Sequence, residues 1–451
     1  MKIVFIIISI LVAVICVLLA LLQHYYISFN NIKKNVDVKP YVPIFEDMIA
    51  REDKSIVDLN DEWHNQELEI SDTLEDTPII TTTEPPVVTL KNDNYLATQA
   101  EVQHLLQAAL AFKLTGKMDK AMKLFEHAAA IAPQNPDVLN GYGEFIEYRH
   151  NDIIAADELY HKALTHSPDH TGALMNRKRT AHVVDKLDLL LFKLIDEKRD
   201  LLQKKQETSP IYDIMRRKAY YLHIYHTVGI EGNTLTLDQL VSVLETGTAV
   251  QGKSLLEHNE ILGLELAMKY VKLLTRFPVI GVKEILGIHR RILGHVDPIN
   301  SGNFRNEQVF VGSHVPPPPE DLLGLVDSYV EWLNSEEAQS MHPVRYAALA
   351  HYKLVDIHPF ADGNGRTSRL IMNLILLRAG YPPVLILKQH REKYYQTLNL
   401  ANKGDVRPFV RFIAHCTENS LQVYLSGIES SHSITHIEQK TIEIEEDNRS
   451  V

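Results

Sequence analysis

Cysteine is nearly absent from this chain. Two occur in 451 residues, Cys16 and Cys416, too few for a disulfide-stapled scaffold or a cysteine-built zinc site. Positive charge is in deficit: 46 Lys and Arg stand against 58 Asp and Glu, a formal net charge of −12. A chain without a basic excess is ill suited to broad nucleic-acid binding, so no nucleic-acid partner is expected. Strict apolar–polar alternation is scarce, which argues against a β-rich fold. The rest is ordinary, with 45% hydrophobic and 23% charged residues, as in a globular protein rather than a disordered or collagen-like one. At ~150 residues per domain, two or three domains are expected.

One apolar run stands out. Residues 3–22, IVFIIISILVAVICVLLALL, are twenty residues without a charge, the length that ~30 Å of hydrocarbon demands of a helix. A cleaved signal peptide has an apolar stretch of only ~7–15 residues and a small-residue cleavage site. This run is longer and LLALLQHYY offers no clear site, so an uncleaved anchor is favoured over a cleaved signal. Lys2 on one side and Lys33 and Lys34 on the other hardly decide its orientation. The sequon Asn448-Arg449-Ser450 permits glycosylation of a lumenal tail without requiring it. Residues 23–95, with TPIITTTEPPVVT inside them, read as an extended acidic stalk.

Residues 102–175 hold an internal repeat. Ala121, Leu124, Phe125, Ala128 and Pro133 recur 35 positions later as Ala156, Leu159, Tyr160, Ala163 and Pro168. Alanines let two helices approach, the aromatic fills the groove between them, and the proline ends the second helix. This resembles the tetratricopeptide pattern of small residue, aromatic, small residue and terminal proline. Two repeats are fewer than the usual three, so they should stack on a neighbour, for which the apolar-periodic segment 178–205 is suited. From Ser209 onward helical periodicity dominates, giving an all-α reading. The β exception is Asn306–Gly312, NEQVFVG, expected as part of a small hairpin between turn signals.

Two glycine-rich turns compete for a chemical role. Gly247-Thr-Ala-Val-Gln-Gly252-Lys253-Ser254 fits the phosphate-loop pattern G-x-x-x-x-G-K-[ST]. Such a loop works between a strand and a helix, yet Leu237, Leu240, Val241 and Leu244 before it form a helical face. A helix–turn–helix with glycine caps is therefore the favoured reading there, with a nucleotide-hydrolysing loop as the alternative. The second turn lies in residues 358–369, His-Pro-Phe-Ala-Asp-Gly-Asn-Gly-Arg-Thr-Ser-Arg. Asp362-Gly-Asn-Gly365 precedes the helical segment TSRLIMNLILL, and a helix N-terminus fronted by glycines is an anion cradle. Arg366 and Arg369 share one face of the first turn and can both reach a phosphate. Asp362 is a hard oxygen donor suited to Mg²⁺ on phosphates. His358 could take a hydroxyl proton. Base, metal ligand, anion hole and cationic clamps are what phosphoryl or nucleotidyl transfer requires.

HPFADGNGRTSR resembles the signature of the Fic family, H-x-F-x-[DE]-G-N-G-R-x-x-R, at every specified position. Thr227-Val-Gly-Ile-Glu231-Gly232-Asn233 resembles that family's inhibitory motif, [ST]-x-x-x-E-[GN]. Residues 302–319, GNFRNEQVFVGSHVPPPP, resemble its target-clamping flap. The order of elements is similar to that in the metazoan members of the endoplasmic reticulum. The resemblance implies an anchor (3–22), a stalk (23–95), two tetratricopeptide repeats (102–175), and a helical linker with the inhibitory helix (176–279). An all-helical Fic domain with a small β-hairpin flap (280–416) and a tail (417–451) complete it.

What the resemblance implies chemically is transfer of AMP from ATP to a Ser or Thr hydroxyl, and its hydrolytic removal in the same site. His358 would be the base and Asp362 would hold Mg²⁺ or Mn²⁺. Gly363, Asn364 and Gly365 would form the anion hole. Arg366, Thr367, Ser368 and Arg369 would complete the nucleotide site, with Val311, Gly312, Ser313, His314, Tyr394, Tyr395 and Asn402 around the nucleotide. Glu231 would restrain Arg369 and also position a hydrolytic water. The implied partners are an Hsp70-type chaperone of the endoplasmic reticulum, recruited by the repeats, and a second copy of the chain through Leu255. The implied topology is single-pass type II with a lumenal catalytic domain. A membrane-tethered scaffold with an inactive Fic domain is the competing class.

Overall fold

The computed structural model describes residues 92–447, apart from residues 210 and 313. The expected anchor, most of the stalk, Ser313 and the Asn448 sequon lie outside the described residues. No helix among the described residues is long and apolar enough to cross a membrane.

The described chain is all-helical. In order run α1 (Asn92–Leu114), α2 (Met118–Ile131), α3 (Pro136–His150), α4 (Ile153–His166), α5 (Thr171–Thr208), α6 (Ile211–Ile230), α7 (Leu237–Thr246) and α8 (Leu255–Leu274). There follow α9 (Val282–Leu293), α10 (Leu322–Leu333), α11 (Glu336–Ser340), α12 (Pro343–Ile357), α13 (Asn364–Arg378), α14 (Arg391–Asn402) and α15 (Arg407–Asp447). The stalk reading ends too late, because α1 is already helical from Asn92.

Local chemistry sets many of these boundaries. Pro136 and Pro343 sit at first helical positions, where the missing N–H costs nothing. Reciprocal capping boxes start α7, through Thr236 and Gln239, and α8, through Ser254 and Glu257.

The 35-residue register reappears as packing. Ala121, Phe125 and Ala128 on α2, and Ala156, Tyr160 and Ala163 on α4, are all fully buried. Tyr160 lies so close to Gly143 that a Cβ there would meet its ring at 2.6 Å. The long helix α5 packs against α4 at one end and against α15 further on. Ion pairs fix that junction: Arg407 on α15 reaches buried Asp157 on α4 at 2.7 Å, and Arg411 bridges Glu158 at 3.1 Å and Asp188 at 2.7 Å.

The large core gathers around α13, which is buried on nearly every face and packs on α8, α9 and α12. A helix apolar all round belongs at a domain centre. The loop joining α12 to α13 is residues 358–363, so the signature turn sits at the mouth of the most buried helix.

The expected hairpin does not form among the described residues. Its place is taken by one antiparallel bridge between Val311 and His314, with both bonds at 3.0 Å. Side chains take the carbonyls a ladder would use. Arg305 donates to the Glu307 carbonyl at 2.8 Å and to that of Pro317 at 2.5 Å, and Gln308 donates to Pro316 O at 2.9 Å. The prolines at 316–319 carry no N–H to extend a second strand.

Candidate active site

Gly363 turns the chain into α13. Its φ of +76° is the left-handed region, and no side chain caps the helix behind it. The amides of Asn364, Gly365 and Arg366, the helix's first, are thus left for an outside acceptor. Asp362 accepts the Gly363 N–H at 2.6 Å, which bends the turn. The Asn364 side chain braces the loop from within, accepting from Phe360 N–H at 3.0 Å and donating to Phe360 O at 2.8 Å. Thr367 and Ser368 do not face the mouth. Both are fully buried, Thr367 N–H bonds Gly363 O at 2.9 Å and Ser368 Oγ bonds Asn364 O at 2.8 Å. The first turn of a helix offers free groups only up to its third amide.

His358 ends α12 in the left-handed conformation, φ +50°. Arg305 secures this unusual backbone by donating to the His358 carbonyl at 2.7 Å, and its own N–H bonds Pro359 O at 3.0 Å. The ring's Nδ1 lies 3.2 Å from the Val355 carbonyl. A carbonyl only accepts, so Nδ1 carries the proton and Nε2 keeps a free lone pair. Burial, aided by the nearby Arg305 and His314, lowers the imidazole pKa below its ordinary value. A neutral base with a fixed tautomer results.

The two signature arginines differ. Arg366 donates to Asp362 at 2.7 Å and lies 3.8 Å from Glu260. Its side chain is 4% exposed and that of Asp362 68%, so the carboxylate reaches solvent while the guanidinium anchors it. Arg369 is entirely buried. It donates to Glu231 at 2.5 Å, to the Thr227 carbonyl at 3.2 Å and to Tyr394 OH at 3.4 Å. Burial alone would weaken its charge, but Glu231 and Tyr394 keep it firmly protonated. The Glu231 carboxylate also rests on the helix mouth: a Cβ on Gly365 would lie 3.0 Å from its Oε1 and 3.1 Å from Arg369 Nη1. A side chain at 365 would crowd both groups and force one of them to shift. The carboxylate holds both the clamp and part of the cradle an anionic ligand would use.

Other expected residues are distributed unevenly. Tyr394 is buried between Arg369 and His351, whose Nε2 lies 2.9 Å from its hydroxyl. Burial drives the His351 pKa well down, so a neutral imidazole shares this hydrogen bond with the Tyr394 hydroxyl. Tyr395 is half-buried and stacks under Arg391. Val311 and His314 form the bridge, and His314 Nε2 lies 3.2 Å from Asp356 O. Gly312 sits between them at φ +61°. Asn402 ends α14 and makes no described bond to the signature loop. Leu255, on the first turn of α8, is 73% exposed. In the other glycine turn, Lys253 Nζ is spent on Thr234 O and Oγ1, both at 2.8 Å, and α7 precedes it in place of a strand.

Several residues of this site escape the sequence reading. His289, from α9, accepts Gly302 N–H at 2.9 Å and donates to Asp362 O at 2.9 Å, stacked on Phe360 at 3.6 Å. Burial lowers its pKa to about 4. Arg305, His351 and Glu260 are the others. Each lies tens of residues from the signature-loop or clamp residue it touches, and nothing local marks it; a buried polar residue on an apolar helical face, as at His289 and His351, is the one available signal.

These elements define a class: a helical domain whose central helix presents an uncapped N-terminus, flanked by a neutral imidazole and two arginines, for a phosphate-bearing ligand. Residues 279–376 match the Fic/DOC family. Protein adenylyltransferase Fic of Aedes aegypti is 52% identical over 356 residues, covering 78% of this chain and 71% of that protein. The protein of the same name from Drosophila melanogaster is 56% identical over 335 residues, covering 73% of this chain and 68% of its own. Among solved structures, Fic-1 (residues 134–508) from C. elegans is 38% identical with a TM-score of 0.67, covering 73% of this chain and 99% of that one. The chain belongs to the Fic family.

Proposed function

We propose that this chain transfers AMP from ATP to a hydroxyl of a protein, and that Glu231 restrains the reaction. The enzyme class is that of its relatives, which carry the name protein adenylyltransferase. The observation that carries the reading is the complete signature gathered around the uncapped first turn of α13, with a neutral, tautomer-fixed His358 beside it. In this reading the free amides of residues 364–366 and the two arginines hold the phosphates. His358 Nε2 takes the proton of the incoming hydroxyl. Asp362 suits a hard divalent cation, since its carboxylate is solvent-facing and has acceptor capacity beyond its two present bonds. Such a cation would neutralise charge on the phosphates.

Glu231 occupies the donors of Arg369, so a terminal phosphate must displace it. The same carboxylate, at the rim of the cradle, is suited to orient a water for removing AMP from the modified target. We further propose an Hsp70-type chaperone of the endoplasmic reticulum as the target, with helices α1–α4 acting as tetratricopeptide repeats that recruit it. Adjacent exposed Leu255 and Leu256 support a homodimer contact. A lumenal, membrane-anchored catalytic part completes the proposal.

The test is intact-mass analysis of the chaperone after incubation with ATP and Mg²⁺. Glu231→Gly should add one AMP per chaperone and wild type should remove it. His358→Ala should lower transfer by ~10²–10⁴-fold. A Glu231→Gly protein that is folded but adds nothing would overturn the restraint.

A further inference from the structure

The end of α6 carries Glu231, and its backbone accounting singles out one distant side chain. A helix ends with four carbonyls that have no partner within it. Here every one is taken. Thr227 O accepts from Arg369 at 3.2 Å. Val228 O accepts the N–H groups of Glu231 and Asn233 at 3.1 and 3.2 Å, and Gly229 O accepts that of Gly232 at 3.2 Å. The last, Ile230 O, belongs to a fully buried residue and accepts from Arg391 Nε at 2.7 Å. Arg391 begins α14, 161 residues away in sequence, and is itself a solvent-exposed residue.

The segment before Arg391 presses on the same helical turn. A Cβ on Gly229 would lie 2.9 Å from Lys388 Cδ, so the lysine stem lies flat on the helix there. Lys388 N–H bonds His226 Nδ1 at 3.3 Å, and its ammonium sits 4.3 Å from the centre of the Tyr225 ring. Residues 388–391 thus strap the last turn of α6, and Arg391 closes the strap at the residue before Glu231. A guanidinium there also suits the negative end of the helix.

We infer that Arg391 is a positioning residue for Glu231. By holding Ile230 O it fixes where the α6 backbone stops, and so where the Glu231 carboxylate meets Arg369. Without it a buried carbonyl loses its partner, the last turn frays, and the carboxylate spends less time on Arg369. This rests on the proposed restraining role of Glu231.

The experiment uses the full chain and the substitutions Arg391→Met, which keeps the stem and removes the donors, and Arg391→Lys, which keeps one. Arg391→Met should raise AMP transfer to the chaperone roughly tenfold, the scale of one lost charge-assisted hydrogen bond. Arg391→Lys should restore most of the restraint. In a Glu231→Gly background Arg391→Met should bring no rise, because there is no carboxylate left to release. Amide exchange of residues 227–233 supplies a readout independent of activity and should quicken in Arg391→Met but not in Arg391→Lys. Unchanged exchange, no rise in transfer, or an equal rise in both backgrounds would overturn the inference. Should Glu231→Gly prove silent while exchange still quickens, the restraint reading fails and the backbone role of Arg391 stands.

Discussion

Residues 247–254 and 362–369 are both glycine-rich turns leading into helices, and both look in sequence like places for phosphate. Gly252 and Gly363 even share a left-handed backbone, at φ +81° and +76°. What separates the turns is the fate of the helix amides behind them. In the first, Ser254 Oγ accepts Glu257 N–H at 3.2 Å and Glu257 answers Ser254 N–H at 3.1 Å, while Lys253 is tied to Thr234. Its cation and two of its leading amides, those of Ser254 and Glu257, are consumed within the protein. In the second, no side chain caps the helix, and Arg366, Arg369 and Glu231 are arranged around its first turn. An anion cradle is marked less by its glycines than by the cap it lacks.

The sharpest break between the two turns is chemical. His358→Ala should lower AMP transfer by ~10²–10⁴-fold, whereas Lys253→Ala should not lower it by more than about twofold, the scale of a lost exposed contact. Initial rates with labelled ATP decide this, and a large loss on Lys253→Ala would return the first turn to candidacy.

A subtler comparison uses matched strain. Alanine at Gly252 or Gly363 forces a Cβ into the left-handed region, costing about 1–2 kcal/mol in either place. At Gly252 nothing lies within 4 Å, but at Gly363 the new carbon meets His289 at 3.2 Å and Leu293 at 3.4 Å. Urea midpoints should therefore fall for both, and transfer should drop, by at least tenfold, only for Gly363→Ala. Ser254→Ala should cost about 1 kcal/mol through the lost cap and leave transfer intact.

The smallest expected effect is in pH. Because burial lowers the His358 pKa, the active neutral form persists as pH falls. The acid limb of kcat/KM should lie below the ordinary histidine value of about 6.5. His289 adds a stability counterpart. Its folded pKa is about 4, so between roughly 6.5 and 4 the unfolded chain binds a proton the folded one refuses. Stability is full above this window and declines as pH falls through it. A thermal midpoint that stayed flat there would count against a neutral, buried His289.

The contrast between turns also explains what could be read from sequence. The signature was legible because its parts are contiguous and one helix turn brings them together. The all-α reading from Ser209 onward was legible from helical periodicity, as the run of helices α6–α15 shows. The hairpin expected at Asn306–Gly312 is reduced to one bridge, with Arg305, just outside the alternating run, taking the Glu307 and Pro317 carbonyls. His289, His351 and Arg391 were illegible for a common reason. Their partners Asp362, Tyr394 and Ile230 lie 73, 43 and 161 residues away, and only tertiary packing unites them.

Cys416 is buried in α15 and burial pushes its thiol pKa up to about 12, so the reactive thiolate is scarce while the helix is seated. Alkylation at this position therefore proceeds only when that part of the core opens. The scarcity of cysteine that excluded a disulfide scaffold leaves the catalytic half with one built-in clock, whose labelling rate counts the openings of the fold that holds the active site.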